Sequence, residues 1–227
     1  MTRCFHILLA VAVLTGPSFA ADAIVEMEAE GWKYFDKGES PGEDWHSPEF
    51  DDSEWESGQA PLGYDTSGKE EDIKTTLSFG DDEKSKPICT YLRKTVEVSD
   101  LADVKKVNCQ FFCDDACIVF VNGKEAHRHN LPKGDLTDDT VAIITAAGQM
   151  ERYKFDFLVD PDQLKSGDNT IAVRLHQRGK VSSDLCFDMK LEALTSDEDV
   201  EKAKAKVEND AKMIKRAIEA QKAAANN

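Results

Sequence analysis

The stretch of sequence that decides the fold runs from Asp114 to Glu125 and reads DDACIVFVNGKE. An apolar run ends at Asn122-Gly123, and polar residues follow it. Asn-Gly between two strand-like segments is the strongest short signal of a β-hairpin, because both residues tolerate the positive φ of a type I′ turn. The stretch therefore predicts two antiparallel strands joined by a tight turn.

Strand-like segments continue on both sides of this hairpin. Short apolar runs or alternating apolar and polar residues occur at 90–98, 107–113, 153–159, 170–175 and 186–191. Turn residues separate them and no strand–helix–strand rhythm appears, which predicts an all-β sandwich of two sheets. The polar segment 65–87 is expected to be a long loop of the kind that carries binding sites.

The first twenty residues have the pattern of a signal peptide. Arg3 supplies the positive start, and an apolar core from Phe5 to Leu14 is too short to span a bilayer. We predict cleavage after Ala20 and export to the periplasm or the cell exterior, with an uncleaved anchor as the alternative. No later segment is apolar enough to predict insertion into a membrane.

The C-terminal segment 196–227 differs in composition from the rest, since it lacks Gly and Pro. Ser196 before three acids predicts the start of a helix. The apolar stripe of this helix is thin and consists of Val200, Val207, Ala211, Ile214 and Ile218. The helix is expected either to lie mostly solvated on a sandwich domain at 21–195 or to dock a protein partner.

Charge and cysteines narrow the functional classes. The 227 residues carry a net charge of −16, and the segment 196–227 is neutral, with seven acids and seven bases. An acidic globular part argues against binding nucleic acid or an anionic membrane. After cleavage five cysteines remain, at 89, 109, 113, 117 and 186, and export predicts one or two disulfides with the other thiols buried. Their spacing does not favour zinc.

The order of motifs along 30–193 resembles the galactose-binding-domain-like jelly-roll module of exported bacterial proteins, which is appended to metallophosphatases and glycoside hydrolases. The motifs stand at Trp32–Asp36, Trp45–Tyr64 (with FDDSEW), Thr90–Lys94 (TYLRK), Asp114–Gly123, Glu125–Pro132, Gly167–Gln177 (with AVRLHQ) and Ser182–Leu191. Ala116 replaces the usual Gly after the two aspartates. The resemblance implies a jelly-roll β-sandwich with a C-terminal α-helix beyond it, and carbohydrate or surface binding.

Five residues are candidates for ligand binding. Trp45 is the best candidate for an exposed platform that stacks on a sugar, whereas Trp32 and Trp55 are expected in the core. Arg128 and Asn130 match positions of the module and either bind sugar hydroxyls or hold a loop. His176 and Gln177 end a strand and either contact a ligand or close the end of the sandwich.

Two groups are candidates for metal binding. Asp114 and Asp115, completed by Asp184, are a predicted calcium site, since hard cations prefer clustered oxygens. The alternative is that the two adjacent aspartates cap the turn. His127 and His129 share a strand face and are compatible with a transition metal, although surface polar residues are the commoner explanation of such a pair.

The sequence contains no Gly-x-Ser-x-Gly, His-Glu-x-x-His or phosphate-loop motif, so a non-catalytic protein is expected. The favoured prediction is an exported carbohydrate-binding module, with calcium as its one candidate cofactor. The alternative is a structural or protein-interaction module that acts through its sandwich surface and C-terminal helix. A sugar binder should expose Trp45 or Tyr64 beside polar loops, and an interaction module should show an apolar patch and a projecting helix.

Overall fold

The computed structural model describes residues 23–68 and 72–225, which form two six-stranded β-sheets and a C-terminal α-helix. The predicted all-β sandwich with a C-terminal helix is confirmed. The predicted signal peptide lies outside the described residues and stays a prediction. The elements are β1 (Ala23–Val25), β2 (Trp32–Phe35), β3 (Glu56–Gly58), β4 (Leu62–Asp65), β5 (Thr75–Thr76), β6 (Cys89–Val98), β7 (Lys106–Asp114), β8 (Ala116–Val121), β9 (Lys124–His129), β10 (Phe155–Val159), β11 (Gly167–His176), β12 (Asp184–Leu194) and α1 (Asp197–Ala225).

The first sheet has the order β10-β7-β12-β4-β5, with β1 also paired to β12, and the second has the order β3-β2-β6-β11-β8-β9. The pairs are antiparallel except β4 with β5. Apart from the β8–β9 hairpin, most neighbours in each sheet come from distant parts of the chain. Loops from different parts of the chain are therefore brought together at the ends of the sandwich, where the long strands fix their positions.

The Asn-Gly turn joins β8 to β9 as the sequence predicts. Asn122 and Gly123 both have positive φ, at 48° and 82°. The Asn122 amide accepts a hydrogen bond from the backbone N–H of Thr170 at 2.9 Å and donates to the backbone carbonyl of Gln163 at 2.9 Å. The turn residue therefore also ties the hairpin to the neighbouring strand β11.

The core lies between the two sheets and contains large aromatic residues from both. Trp32 is fully buried, and its ring meets that of Phe187 edge-on at 5.6 Å between centroids. Trp55 is buried as well, in a second cluster that Tyr91 joins on the outer side of β6. The expectation that Trp32 and Trp55 are packed inside is confirmed, with Trp32 in the core between the sheets and Trp55 in this second buried cluster.

The predicted disulfides are wrong for the described cysteines, all five of which are buried thiols. Alternation along the strands places them inside, where they pack as small apolar residues. Cys109 and Cys113 lie on β7 and Cys117 on β8, and burial together with the neighbouring Cys117 raises the pKa of Cys113 well above its ordinary value. Export permits disulfides, but it does not bring the strands into the geometry that a disulfide needs.

Helix α1 begins where the sequence predicts. The Ser196 hydroxyl accepts a hydrogen bond from the backbone N–H of Asp199 at 3.0 Å, which caps the first turn. Val200 and Ala203 are buried against Leu194. The helix therefore lies on the sandwich and does not project from it. No helix in the described ranges is long and apolar enough to cross a membrane.

Candidate functional site: a polar cleft at one end of the sandwich

The structure buries the residue that the sequence proposes as a sugar platform. Trp45 is only 5% exposed, and its ring packs edge-on against Tyr91 and Phe120. Arg93 holds this loop against the sheet, since its guanidinium donates hydrogen bonds to the backbone carbonyls of Trp45 and Ser47. The prediction of an exposed Trp45 is wrong, because a buried arginine ties its backbone down.

Asn130 and Arg128 hold the loop that follows β9. The buried Asn130 amide donates to the backbone carbonyls of Asp115 at 2.9 Å and Ile144 at 2.7 Å. Arg128 forms two hydrogen bonds to the Glu125 carboxylate, at 2.9 and 2.8 Å, and donates to the Pro132 carbonyl at 2.7 Å. Both side chains are engaged in shaping the loop, which is the alternative that the sequence left open.

His176 and Gln177 are buried and close the end of the sandwich. The Nδ1 of His176 lies 2.7 Å from the Thr140 carbonyl and 3.1 Å from the Cys89 thiol. Burial lowers the pKa of His176 to about 4, so its imidazole is neutral. Gln177 donates a hydrogen bond to the hydroxyl of Tyr64, which is itself buried. Trp45 and Tyr64 are thus both buried, and neither is the open aromatic residue that a sugar binder is expected to show.

The two adjacent aspartates have different roles. Each carboxylate oxygen of Asp115 accepts a backbone hydrogen bond at 2.7 Å, one from Ala146 and one from Arg178. Asp114 is buried, and its pKa is raised to about 9 by burial and by the charges of Asp115 and Asp184. In the described part of the chain no three His, Cys, Asp or Glu side chains are arranged to hold a metal ion. Asp115 thus caps the turn, and the calcium site stays a prediction.

The predicted ligand residues do not converge on one site. Trp45 and Arg128 line a shallow groove of about 270 Å³ on the outer face of the second sheet, beside the half-exposed ring of Phe120. Arg128 and Asn130 line a cavity beneath α1. His176 and Gln177 lie in the buried layer between the sheets and the end loops.

Another surface at the end of the sandwich gathers more polar groups. A cleft of about 540 Å³, here called the polar cleft, is formed by loop residues 37–39, 79–88, 138–139 and 180. The ring of Phe79 lines it and is partly buried, with its centroid 4.8 Å from that of Tyr64. Exposed charged side chains of both signs surround the ring, namely Lys37, Glu39, Asp81, Asp82, Asp139 and Lys180.

Lys86 fastens two of these loops together. It is 2% exposed, and its ammonium donates to the Ser182 carbonyl at 2.6 Å. The same ammonium lies 5.2 Å from the centroid of the Phe79 ring, and the backbone N–H of Lys86 donates to the Lys180 carbonyl at 3.0 Å. The loops on both sides of the cleft are therefore held by a buried cation and do not depend on surface contacts.

Asp138 anchors the floor of the cleft. Its carboxylate accepts a hydrogen bond from the Tyr91 hydroxyl and lies 3.5 Å from the Arg174 guanidinium. Its backbone carbonyl accepts a hydrogen bond from the Cys89 thiol at 3.1 Å. Burial raises the pKa of Cys89 to about 12, so this thiol is neutral. A neutral thiol beside the neutral His176 is not an activated nucleophile.

Sequence reasoning identified part of this cleft. It predicted that the polar segment 65–87 carries binding residues, and Phe79 and Lys86 lie in that segment. It missed Lys37, Asp138 and Asp139, which come from separate loops. The strand end at His176 was a second signal for this end of the sandwich, although His176 itself does not line the cleft.

No protein-family model and no curated protein match the chain. Similar solved structures include a β-glycosidase from Bacteroides vulgatus, with 20% identity and a TM-score of 0.46 over 75% of this chain and 20% of that chain. A Bacteroides uniformis β-glucuronidase has 15% identity and a TM-score of 0.49 over 75% of this chain and 18% of that one. An uncultured Clostridium sp. β-glucuronidase has 13% identity and a TM-score of 0.43 over 83% of this chain and 31% of that chain. The chain thus spans less than a third of each of these proteins, and the likeness concerns the fold alone.

Proposed function

We propose that the protein is a non-catalytic carbohydrate-binding β-sandwich and that the polar cleft is its binding site. The observation that carries the proposal is the partly buried ring of Phe79 in the wall of the cleft, with exposed carboxylate and ammonium groups along the same cleft. A sugar offers hydroxyl groups that hydrogen-bond to such charges and a C–H face that packs on an aromatic ring. Binding sites combine an apolar surface with a few placed polar groups in this way.

The cleft is built before a ligand arrives. Lys86 joins the loops on its two sides, and Asp138 is held by Tyr91 and Arg174. Loops that are already fixed lose little conformational entropy when a ligand binds, so binding costs less free energy. A rigid cleft on a sandwich scaffold supports recognition of a defined ligand.

Binding without turnover is the expected activity. A general acid in glycoside hydrolysis needs a carboxyl group whose pKa is raised by shielding from water. The carboxylates of Asp81, Asp82 and Asp139 lie exposed on the rim of the cleft. The buried Cys89 and His176 beneath it are both neutral, as described above.

The test begins with the purified protein on a broad glycan array, followed by calorimetry with the glycan that binds. Phe79→Ala and Asp139→Asn are each expected to weaken affinity at least about tenfold, since each removes one contact surface or charge. Phe120→Ala is the matched aromatic control in the shallow groove. Asp103→Asn is the charge control, at an exposed position beyond the far end of β6.

Three outcomes would contradict the proposal. If the folded protein binds no glycan, carbohydrate binding is not its function. If Phe120→Ala loses affinity and Phe79→Ala does not, the binding site is the shallow groove and not the polar cleft. Hydrolysis of the bound glycan would remove the non-catalytic assignment. The same array with calcium and with a chelator tests the calcium site predicted at Asp114, Asp115 and Asp184.

Neither kind of module shows the features expected of it: Trp45 and Tyr64 are buried, so the sugar-binding proposal depends on Phe79 instead, and the protein-interaction alternative lacks both of its own features. It predicts a projecting helix, whereas α1 packs on the sandwich. It also predicts an apolar patch, whereas Val181, at 71% exposed, is the one large exposed apolar side chain among the residues described. A single exposed valine is ordinary for a surface loop.

A further inference from the structure

A second cavity, of about 450 Å³, lies beneath helix α1. It opens between α1, the end of β9 and the start of β10, which are the edges of two different sheets. This space, here called the helix cavity, shares no lining residue with the polar cleft. Its role is therefore separate from the sugar site proposed above.

The helix spans this cavity because it is anchored on both sides of it. On one side the Asp210 carboxylate accepts hydrogen bonds from the backbone N–H of Asp156 and the hydroxyl of Tyr153, both at 2.8 Å. On the other side the Gln221 amide exchanges two hydrogen bonds with the backbone of Thr145, at 3.0 and 3.3 Å. The intervening turns cannot collapse onto the sheet edges without breaking one of these anchors.

Apolar side chains line the space between the anchors. Ile214 and Ile218 on α1 are half-buried, and they face the ring of Phe155 at the start of β10. Covering such a partly exposed apolar wall with an apolar molecule removes apolar surface from water, which is favourable in free energy. Apolar cavities of sufficient size take up small apolar molecules.

His127 contributes a polar group to the cavity. Its ring stacks on Phe157 with 4.4 Å between centroids, and its Nε2 has no hydrogen-bond partner in the described residues. Burial lowers the pKa of His127 to about 4, so the ring is neutral. His129 lies 6.3 Å away between ring centroids, and no third donor completes a metal site within the ranges described. The structure therefore does not favour the transition-metal alternative, and the pair serves as part of the cavity lining.

The outer rim of the cavity is positively charged. Lys215 and Lys222 line it, and neither forms an ion pair with any residue that the structure describes. Glu219 lies between them on the helix, so the three side chains leave one positive charge. Of the remaining charges, Arg128 pairs with Glu125, whereas Asp156 and Asp210 share the single ammonium of Lys206, which leaves one negative charge at that end of the helix. The lining is thus neutral as a whole, and an anionic group at the end of an apolar body is favoured only at the Lys215 and Lys222 end.

We infer that the helix cavity binds a small amphipathic molecule, with its apolar body against Ile214, Ile218 and Phe155 and a single carboxylate at Lys215 and Lys222. The two anchors of α1 leave room for a small molecule but not for a folded partner. The ligand class is a medium-chain aliphatic carboxylic acid or one of similar size and polarity. This site needs no sugar and stands apart from the polar cleft.

The test uses decanoate as the probe, below its micelle concentration, with binding followed by calorimetry and by NMR of the methyl groups of Ile214 and Ile218. One-site binding is expected. Lys215→Glu should weaken it at least about tenfold, whereas Arg216→Glu, the same charge change on the neighbouring outward-facing residue, should leave it within about twofold. Ala211→Trp, at an exposed position that lines the cavity, should abolish binding by filling the space.

Circular dichroism establishes that each variant is folded, and the charge variants decide the matter if Ala211→Trp does not fold. Absence of decanoate binding to the wild-type protein would overturn the inference. Equal effects of Lys215→Glu and Arg216→Glu would do so as well, because they would indicate a general charge effect. If decan-1-ol binds as tightly as decanoate, the assignment of a carboxylate is wrong.

Discussion

The carboxyl group of Asp114 is buried beside the carboxylates of Asp115 and Asp184. Burial and those two charges raise its pKa to about 9, so it is protonated in the folded protein at neutral pH. In the unfolded chain an aspartate ionises near its ordinary pKa of about 3.9. The folded state therefore binds more protons than the unfolded state between about pH 4 and pH 9, and the stability of the protein falls as pH rises through that window.

Asp114→Asn should remove this pH-dependent cost. The amide keeps a donor for the Asp115 carboxylate but never ionises. At pH 7 the variant is expected to be more stable than the wild type by about 1 to 4 kcal/mol, because one pKa unit is worth about 1.4 kcal/mol. Below about pH 4 the difference should vanish. Urea unfolding of both proteins at pH 4, 7 and 9 measures it, and a difference that does not grow with pH would contradict the assignment.

Asn130→Ala addresses whether that residue binds ligand or holds a loop. The substitution leaves the buried backbone groups of Asp115 and Ile144 without partners, and each lost bond costs about 1 kcal/mol or more. The free energy of unfolding is expected to fall by about 2 to 4 kcal/mol. Glycan affinity, measured well below the melting temperature, is expected to stay within about twofold.

A control separates the lost amide from the backbone conformation. Asn130 has a φ of 54°, which alanine tolerates poorly. Asn130→Gly accepts that φ but lacks the amide, so it should retain most of the destabilisation if the hydrogen bonds are its cause. Loss of glycan binding in a folded Asn130 variant would place this residue in the binding site after all.

At the residue scale, the sequence singled out residues that matter to the structure but did not predict which of them are exposed. Trp45, Asn130 and His176 stand at motif positions, but whether each side chain faces solvent depends on loops that close over it. Trp45 is covered because Arg93, far away in sequence, binds its backbone carbonyl. Such a long-range contact between a loop and a strand leaves no periodic signal in either segment.

At the scale of elements, α1 completes the edge of the first sheet. Strand β10 has a sheet partner, β7, on one side only. On its open side Asp210 accepts the backbone N–H of Asp156 at 2.8 Å, and the Lys206 ammonium donates to the Lys154 carbonyl at 2.8 Å. Side chains of the helix thus satisfy backbone groups that would otherwise be exposed on an edge strand.

Asp210→Ala should loosen this edge. The carboxylate is 3% exposed, and its removal leaves the Asp156 N–H and the Tyr153 hydroxyl without an acceptor. The expected loss of stability is about 2 to 4 kcal/mol, and the Asp156 amide should exchange its hydrogen much faster. Urea unfolding and hydrogen exchange measure the two effects.

Two further variants calibrate that result. Asp210→Asn keeps one acceptor oxygen and should lose less stability than Asp210→Ala. Glu208→Ala, on the same helix, removes only an exposed ion pair with Lys212 and should change stability by less than about 0.5 kcal/mol. A similar loss in Glu208→Ala and Asp210→Ala would mean that removing an acidic charge from the helix, and not losing the edge contact, is responsible, since alanine itself favours the helix.

Elements with strong local signals were predictable. The Asn-Gly turn and the Ser196 cap depend on backbone conformation within a few residues, and both occur where the sequence predicts them. The side of the sandwich on which α1 docks was not predictable, because Asp210 and Tyr153 meet only through the tertiary fold. The thin stripe of apolar residues on α1 now has a physical explanation, since part of it faces a cavity and not a packed core.

At the scale of the whole molecule, the sandwich and α1 form one stable unit in which the two candidate sites occupy different surfaces. The prediction of disulfides failed at this scale, because the cysteines of β7 and β8 are distributed within a core that is already apolar. The polar cleft was only partly predictable because it, too, depends on the tertiary fold. It is assembled from loops that join different strand pairs, and a sequence does not show which loops share an end of the sandwich.

Removal of residues 196–227 should show how far the sandwich depends on its helix. The truncation uncovers Leu158 and Leu194, which pack against Val200 and Ala203, and it opens the edge of β10. Exposed edge strands pair with other chains, so the truncated protein is expected to melt at a lower temperature and to self-associate. Removal of 223–227 alone is the control, because it retains Gln221 and its two bonds to Thr145. Light scattering after size exclusion and thermal unfolding provide the readouts, and a truncated protein that stays monomeric with an unchanged melting temperature would show that α1 adds nothing to the sandwich.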